Sequence, residues 1–180
     1  MGQQYSSLNA KLTTFIEDQK VFFVGTAAAK GRVSVSPKGM DTFRVLSPDS
    51  AVWLNITGSG NETAAHLLQL PRMTIMFCSF EGKPNILRLY GQATAYHPRD
   101  DQYRKYISLF PKIEGGRQII EMKIDLVTTA CGFGVPLMDF RKERADLADW
   151  AEKQGPEKLE RYKQEKNARS IDGFETGIDG

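Results

Sequence analysis

The sequence has 180 residues, with 24 Lys and Arg against 22 Asp and Glu for a formal charge of +2, a length that suits one domain, or one with an appendage, and can bury a real core. The basic residues are scattered among acidic ones, so nothing resembles a segment that tracks a nucleic-acid backbone, and nucleic acid is not expected as a partner. The start MGQQYSSLNA lacks a basic-then-apolar leader, no run of about 18 apolar residues occurs, and Cys78 and Cys131 form no CxxC pair, so the expectation is a cytoplasmic protein with reduced thiols and no membrane partner.

Leu8, Leu12, Phe15 and Ile16 recur at helical spacing behind Ser6 and Ser7, which predicts an opening amphipathic helix. Short strands are then predicted near Val21–Ala27, Arg32–Lys38, Thr42–Leu46, Ala51–Ile56, Met73–Ser79 and Ile86–Tyr96, with turns at Lys30-Gly31, Ser47-Pro48-Asp49 and Gly82-Lys83-Pro84. Most of these connections are too short for a crossover helix, so the sheet is expected to be mainly antiparallel, a barrel or a sandwich. The longest interruption is the stretch 57–67, TGSGNETAAHL: a strand ends in Gly58-Ser59-Gly60, and Ala64, Ala65, Leu67 and Leu68 suit one side of a helix stopped by Pro71. Such a junction points unpaired N–H groups and the positive end of a helix dipole outward, where an anion can sit. Ser59 and Glu62 also have capping-box spacing.

Further along, a polar helix is predicted from about Arg99 to Phe110, a break at Gly115-Gly116 and a strand over Met122–Thr129. Beyond Pro136 mixed charge and the stripe Leu147, Trp150, Ala151, Leu159 and Tyr162 predict a helical extension interrupted at Gly155-Pro156, followed by a loose SIDGFETGIDG tail. The division expected is a domain over 1–136 and an extension over 137–180.

Alternation places Ser34, Ser36 and Lys38 on one side of their strand, with Pro37 marking an edge or an end. Trp53, Asn55 and Thr57 share a side of the next, and Arg88, Tyr90 and Gln92 a side of a third. If these sides converge near Asn61, the site offers hydroxyls, amides, cations and a helix N-terminus, without an evident catalytic base. A dinucleotide fingerprint fails because Thr63 stands where its third glycine belongs, and a Walker loop lacks its Lys-Ser/Thr end. His66 and His97 lack metal-ligand spacing, so no metal is expected. Cys131, among glycines, is read as packing beside a ligand.

Val33-Ser-Val-Ser-Pro-Lys-Gly39, Val52-Trp-Leu-Asn55 leading to Gly60-Asn-Glu-Thr63, Arg72-Met-Thr-Ile-Met-Phe and Leu87-Arg-Leu-Tyr-Gly-Gln-Ala93 together resemble the pyridoxamine 5′-phosphate oxidase-like proteins, over roughly residues 20 to 130. The resemblance implies a mainly β fold, a six-stranded antiparallel split barrel, and a homodimer holding non-covalent FMN at its interface. Carried onto this chain, it sets Ser34, Val35, Ser36 and Lys38 along the flavin and ribityl chain with Asn55 and Thr57, and the ribityl phosphate on Gly60, Asn61, Glu62 and Thr63. Arg88 would reach the flavin from its strand, and Phe133 or Arg141 from the second subunit. True pyridoxamine phosphate oxidases carry Ser-Arg-Lys where this chain has Asn61-Glu62-Thr63, and their C-terminal Arg-x-His pattern is absent, so vitamin B6 synthesis is not expected. The implied function is an FMN-dependent oxidoreductase acting on a small-molecule substrate or electron donor. The alternatives are a non-catalytic FMN-binding or sensing protein, or a deazaflavin-dependent reductase on the same fold.

Overall fold

The computed structural model describes residues 2–179. Helix α1 (Ala10–Asp18) begins at Asn9, whose side chain accepts from Leu12 N–H at 3.0 Å, so the cap is this residue and neither Ser6 nor Ser7. Leu12 and Ile16 bury its apolar side. The chain then forms β2 (Phe22–Thr26), β3 (Ser34–Lys38), β4 (Phe43–Ser47), β5 (Ser50–Ile56), helix α2 (Glu62–Gln69), β6 (Arg72–Cys78), β7 (Ile86–Tyr96), helix α3 (Asp101–Tyr106) and β8 (Gly116–Ala130), after a short β1 (Gln3–Tyr5). The strands follow the order β3-β2-β6-β7-β8-β5-β4, every pairing is antiparallel, and β1 joins the far end of β8. This is the mainly β fold expected, with eight strands among the described residues in place of six.

The sheet closes on itself through side chains. Phe43 of β4, at one end of the strand order, meets Phe22 of β2 at 5.1 Å and Phe77 of β6 at 5.2 Å between ring centroids, and Phe22 also faces Trp53 of β5 at 6.3 Å. These rings join Leu12, Ile75, Leu89, Ile120 and Val127 in the main core, where each large apolar side chain contributes about 1.5–3 kcal/mol by leaving water. A second cluster, Val52, Leu54 and Ile119 under Tyr106 and Phe110, covers the other side of β5. Both sides of β5 are therefore occupied, and Trp53, read from alternation as part of an open wall, is fully buried.

β8 is longer than the predicted Met122–Thr129, because residues 116–123 pair with β5 and residues 119–130 pair with β7, so the middle of the strand has a neighbour on each side. Two slips in its register matter. One lies between Tyr90 and Gly91 on β7. The other lies between Asn55 and Ile56 on β5: Asn55 faces Gln118 and Ile56 faces Gly116, leaving Arg117 without an opposite residue. An unpaired residue at such a bulge is turned out of the regular alternation.

Helix α4 (Asp146–Asn167) is broken where predicted, at Gly155 (φ 71°) before Pro156. Its two halves meet through Trp150 and Tyr162, 5.0 Å apart edge to face. Gly115, at φ +87°, turns into β8, and a Cβ there would sit 3.3 Å from that of Ala151. No described helix is long and apolar enough to cross a membrane. The stretch after α4 packs against the barrel, contrary to the loose tail expected: Thr176 and Ser170 are buried, and Arg99 donates to Gly177 O at 2.6 Å. Gly173, at φ 84°, makes a tight turn there, its N–H donating to Ser170 O, while Ser170 N–H donates to Phe174 O and Thr176 N–H to Ala168 O.

Candidate functional site

The loop between β5 and α2 opens onto a cavity of about 670 Å³. Of the residues singled out in the sequence, Ser36, Lys38, Asn55, Gly60, Asn61, Glu62 and Thr63 line it together. β3 is an edge strand, as Pro37 suggested, and its alternation brings Ser36 and Lys38 to this wall while Val35 stands 67% exposed on the other face. A neighbouring cleft of about 1140 Å³ shares Pro37, Lys38, Ile56 and Gly58 and runs between the end of α1 and the segment around Phe140.

Four expected residues are elsewhere. Ser34 and Val35 lie on β3 outside both cavities, as does Arg88 on β7. Thr57 is fully buried, its hydroxyl donating to Gly115 O at 2.8 Å, so it anchors the turn before β8 instead of facing the cavity. Phe133 and Arg141 are exposed and line neither cavity.

The start of α2 differs from a capping box. Asn61 precedes the helix without a side-chain cap bond, and Glu62 turns away from Ser59 to accept from Ile171 N–H at 3.0 Å. Thus one oxygen of the carboxylate at the helix N-terminus is engaged by the C-terminal segment, while Glu62 Oε2 is buried without a partner.

Residues from distant sequence complete the wall, with Asn167 buried behind them. Arg117 is only 3% exposed; it donates to Gly60 O at 3.0 Å and to Asn167 Oδ1, and its Nε has no partner. Asn167 in turn donates to Gly58 O at 2.9 Å and accepts from Asn61 Nδ2 at 3.2 Å through its carbonyl. Lys166, Arg169 and Ser170 line the same cavity. Sequence reading missed Arg117 because the glycines before it signalled a break, and the bulge that aims it has no local signature. The single hint in the later residues was their charge.

Lys38 and Arg117 form no ion pair with any carboxylate among the described residues. Burial, with the Arg117 charge adding to it, pulls the Lys38 ammonium down to about 8, and burial pulls the Arg117 guanidinium down to about 10. Two cations on one cavity wall, one buried and one half-buried, raise each other's cost, which an anion between them removes. Beside them, Asn55 Oδ1 and Asn61 Oδ1 are buried without partners. Unsatisfied buried groups of this kind are rare in a folded chain and favour a polar ligand.

The order of strands, the edge closed by aromatic rings and the short helix between β5 and β6 define a split β-barrel with a polar cavity at one end. The chain belongs to the pyridoxamine 5′-phosphate oxidase family. The family model described as "Pyridoxamine 5′-phosphate oxidase" matches residues 8–131. The "Pyridoxamine 5′-phosphate oxidase family protein ustO" of Aspergillus flavus is 35% identical over 190 residues, spanning 94% of this chain and 76% of that protein. Among solved structures, HupZ of Group A Streptococcus matches with a TM-score of 0.53 at 16% identity, over 66% of this chain and 91% of that one. HutZ, the heme storage protein from Vibrio cholerae, matches at 0.50 and 16%, over 69% and 96%. At these identities the likeness is one of fold.

Proposed function

We propose that the chain is a flavoprotein that holds FMN non-covalently and uses it in oxidoreduction, as a homodimer. The observation carrying this reading is the pair of cations, half-buried Lys38 and buried Arg117, that face one cavity with no carboxylate paired to them. The phosphate of FMN matches this charge and the N–H groups at the start of α2. Ser36, Asn55 and Thr63 supply partners for the ribityl hydroxyls, and the adjoining cleft gives the ring system room. When bound, FMN supplies hydride or electron transfer, and the protein's part is to bind, orient and tune it. This accounts for a site without an evident catalytic base.

The dimer is supported by exposed apolar side chains on and beside edge strand β3, with Val33 at 72% and Val35 at 67%, and on the segment after β8, with Phe133 at 81% and Leu137 at 79%. Apolar surface of this kind is characteristic of contact sites. The haem role printed for HutZ finds no such support here: His66 and His97 are 1% and 5% exposed, and His66 Nδ1 is engaged with Thr26 Oγ1 at 3.0 Å.

The test is the visible absorption spectrum of the purified protein, followed by denaturation, chromatographic identification of any released cofactor, and FMN titration of colourless material. Released FMN, or saturable uptake, is expected. No flavin and no uptake would falsify the reading, and a released deazaflavin would replace FMN while keeping the reductase. Bound FMN that no pyridine nucleotide or amine reduces would leave a binding protein without turnover.

A further inference from the structure

The family-like loop of this chain lacks basic residues: Asn61, Glu62 and Thr63 carry one acid and no cation. Yet the cavity it borders is lined by Lys38, Arg117, Lys166 and Arg169. Two of these four belong to the C-terminal segment, beyond residues 8–131 where the family match lies. That segment is fastened to the loop at three points, through Asn167 to Gly58 O, Asn61 Nδ2 to Asn167 O, and Ile171 N–H to Glu62. Glu62 is thereby held by a backbone donor, and Arg117 is oriented by the Asn167 side chain with its Nε left open.

We propose that Arg117 and the C-terminal residues Lys166 and Arg169 form a phosphate-monoester subsite, in which the chain's own C-terminal segment replaces the cations missing from the loop. Arg117 is the buried anchor, positioned by Gly60 O and Asn167. Arg169 now pairs with Glu175 at 2.5 Å on the surface, 68% exposed, and is free to exchange that carboxylate for a phosphate oxygen. Exposed ion pairs are worth little, so the exchange costs little. Lys166 adds charge at the rim. The proposal deepens the flavin reading, since FMN is a phosphate monoester, but it concerns the phosphate alone.

The experiment compares FMN with riboflavin, which lacks the phosphate, by quenching of flavin fluorescence in the full-length wild type, Arg117→Met and the double variant Lys166→Ala/Arg169→Ala. In parallel, thermal melts are recorded with and without inorganic phosphate. The wild type is expected to prefer FMN by at least a hundredfold. Each variant is expected to lose at least tenfold in FMN affinity with riboflavin affinity unchanged, and to lose the rise in Tm that phosphate gives the wild type. The double variant changes exposed side chains only, so it keeps the test decisive if Arg117→Met does not fold. Equal wild-type affinity for both flavins overturns the subsite while leaving the flavoprotein standing. FMN affinity and phosphate response unchanged in the double variant overturn the role of the C-terminal segment. If the wild type ignores both flavins but phosphate raises its Tm through these residues, the flavin reading fails and the subsite survives; no response to phosphate either overturns both.

Discussion

Lys38 is the side chain on which affinity and stability pull in opposite directions. Its ammonium titrates at about 8 against an ordinary 10.5, so between those values the unfolded chain holds a proton that the folded one has lost, and stability rises with pH across that window. Below pH 8 the full cost of the buried charge is present. Lys38→Met is therefore expected to raise the Tm of the ligand-free protein at pH 7, with the gain fading as the pH climbs toward 10.5. The same change is expected to weaken FMN binding by about 1–3 kcal/mol, the loss typical of a hydrogen bond to a charged group. Wild-type affinity should decline above pH 8, and the decline should be absent in the variant; a flat wild-type profile rules Lys38 out as a ligand. Much of this wall was legible in the sequence, because a period of two sets Ser36 and Lys38 together and a strand, a glycine loop and a helix follow one another at 56–62. Arg117 was not, since a bulge breaks the same period. Asn167 reaches Gly58 and Asn61 across 109 and 106 residues, and no local pattern encodes a contact of that span.

At the level of elements, the slip between β7 and β8, where Tyr90 faces Leu126 and Gly91 faces Ile124 so that Asp125 of β8 bulges, rests on a single residue. A Cβ on Gly91 would lie 1.9 Å from Lys123 O, inside the backbone of β8, whereas one on Gly25 of β2 would have nothing nearer than 3.8 Å. Gly91→Ala is expected to cost about 3 kcal/mol or more, a drop of roughly 6–12 °C in Tm at 2–4 °C per kcal/mol, and Gly25→Ala to cost less than about 1 kcal/mol. Chemical denaturation of both variants checks the contrast, and equal losses would show that Gly91 is not held against β8. The strands from β2 to β7 were predicted within a few residues, because each is short, alternating and bounded by turn residues. β8 was truncated in prediction because Gly115-Gly116 reads as a stop, when Gly115 in fact makes the turn that starts the strand. β1, three residues long, has no periodicity to read, and the C-terminal stretch looked loose because composition does not record which of its polar groups find partners.

For the whole molecule, the exposed Val33, Val35, Phe133 and Leu137 set the expected assembly. Val35→Glu places a charge on that surface and is expected to convert a dimer to a monomer in light scattering while leaving the far-ultraviolet circular dichroism intact, because the side chain contributes nothing to the core. FMN affinity falling together with the dimer would place the cofactor at the interface. A wild type that is already monomeric overturns the assembly.

β8 has one more consequence, in the order in which the barrel is made. Before it emerges during synthesis, β3, β2, β6 and β7 can join as one sheet and β4 with β5 as a separate hairpin, and only side-chain contacts such as Phe43 with Phe22 and Phe77 link the two, with no strand pairing between them. β8 supplies the missing neighbour to both at once, β7 on one edge and β5 on the other. Until then the nascent chain presents two unpaired edges and half-covered apolar faces, the condition under which β proteins aggregate. The vulnerable interval ends with β8, and only afterwards do Asn167 and Ile171 arrive to close the loop at Gly58–Glu62, so the cavity is the last part of the protein to be finished.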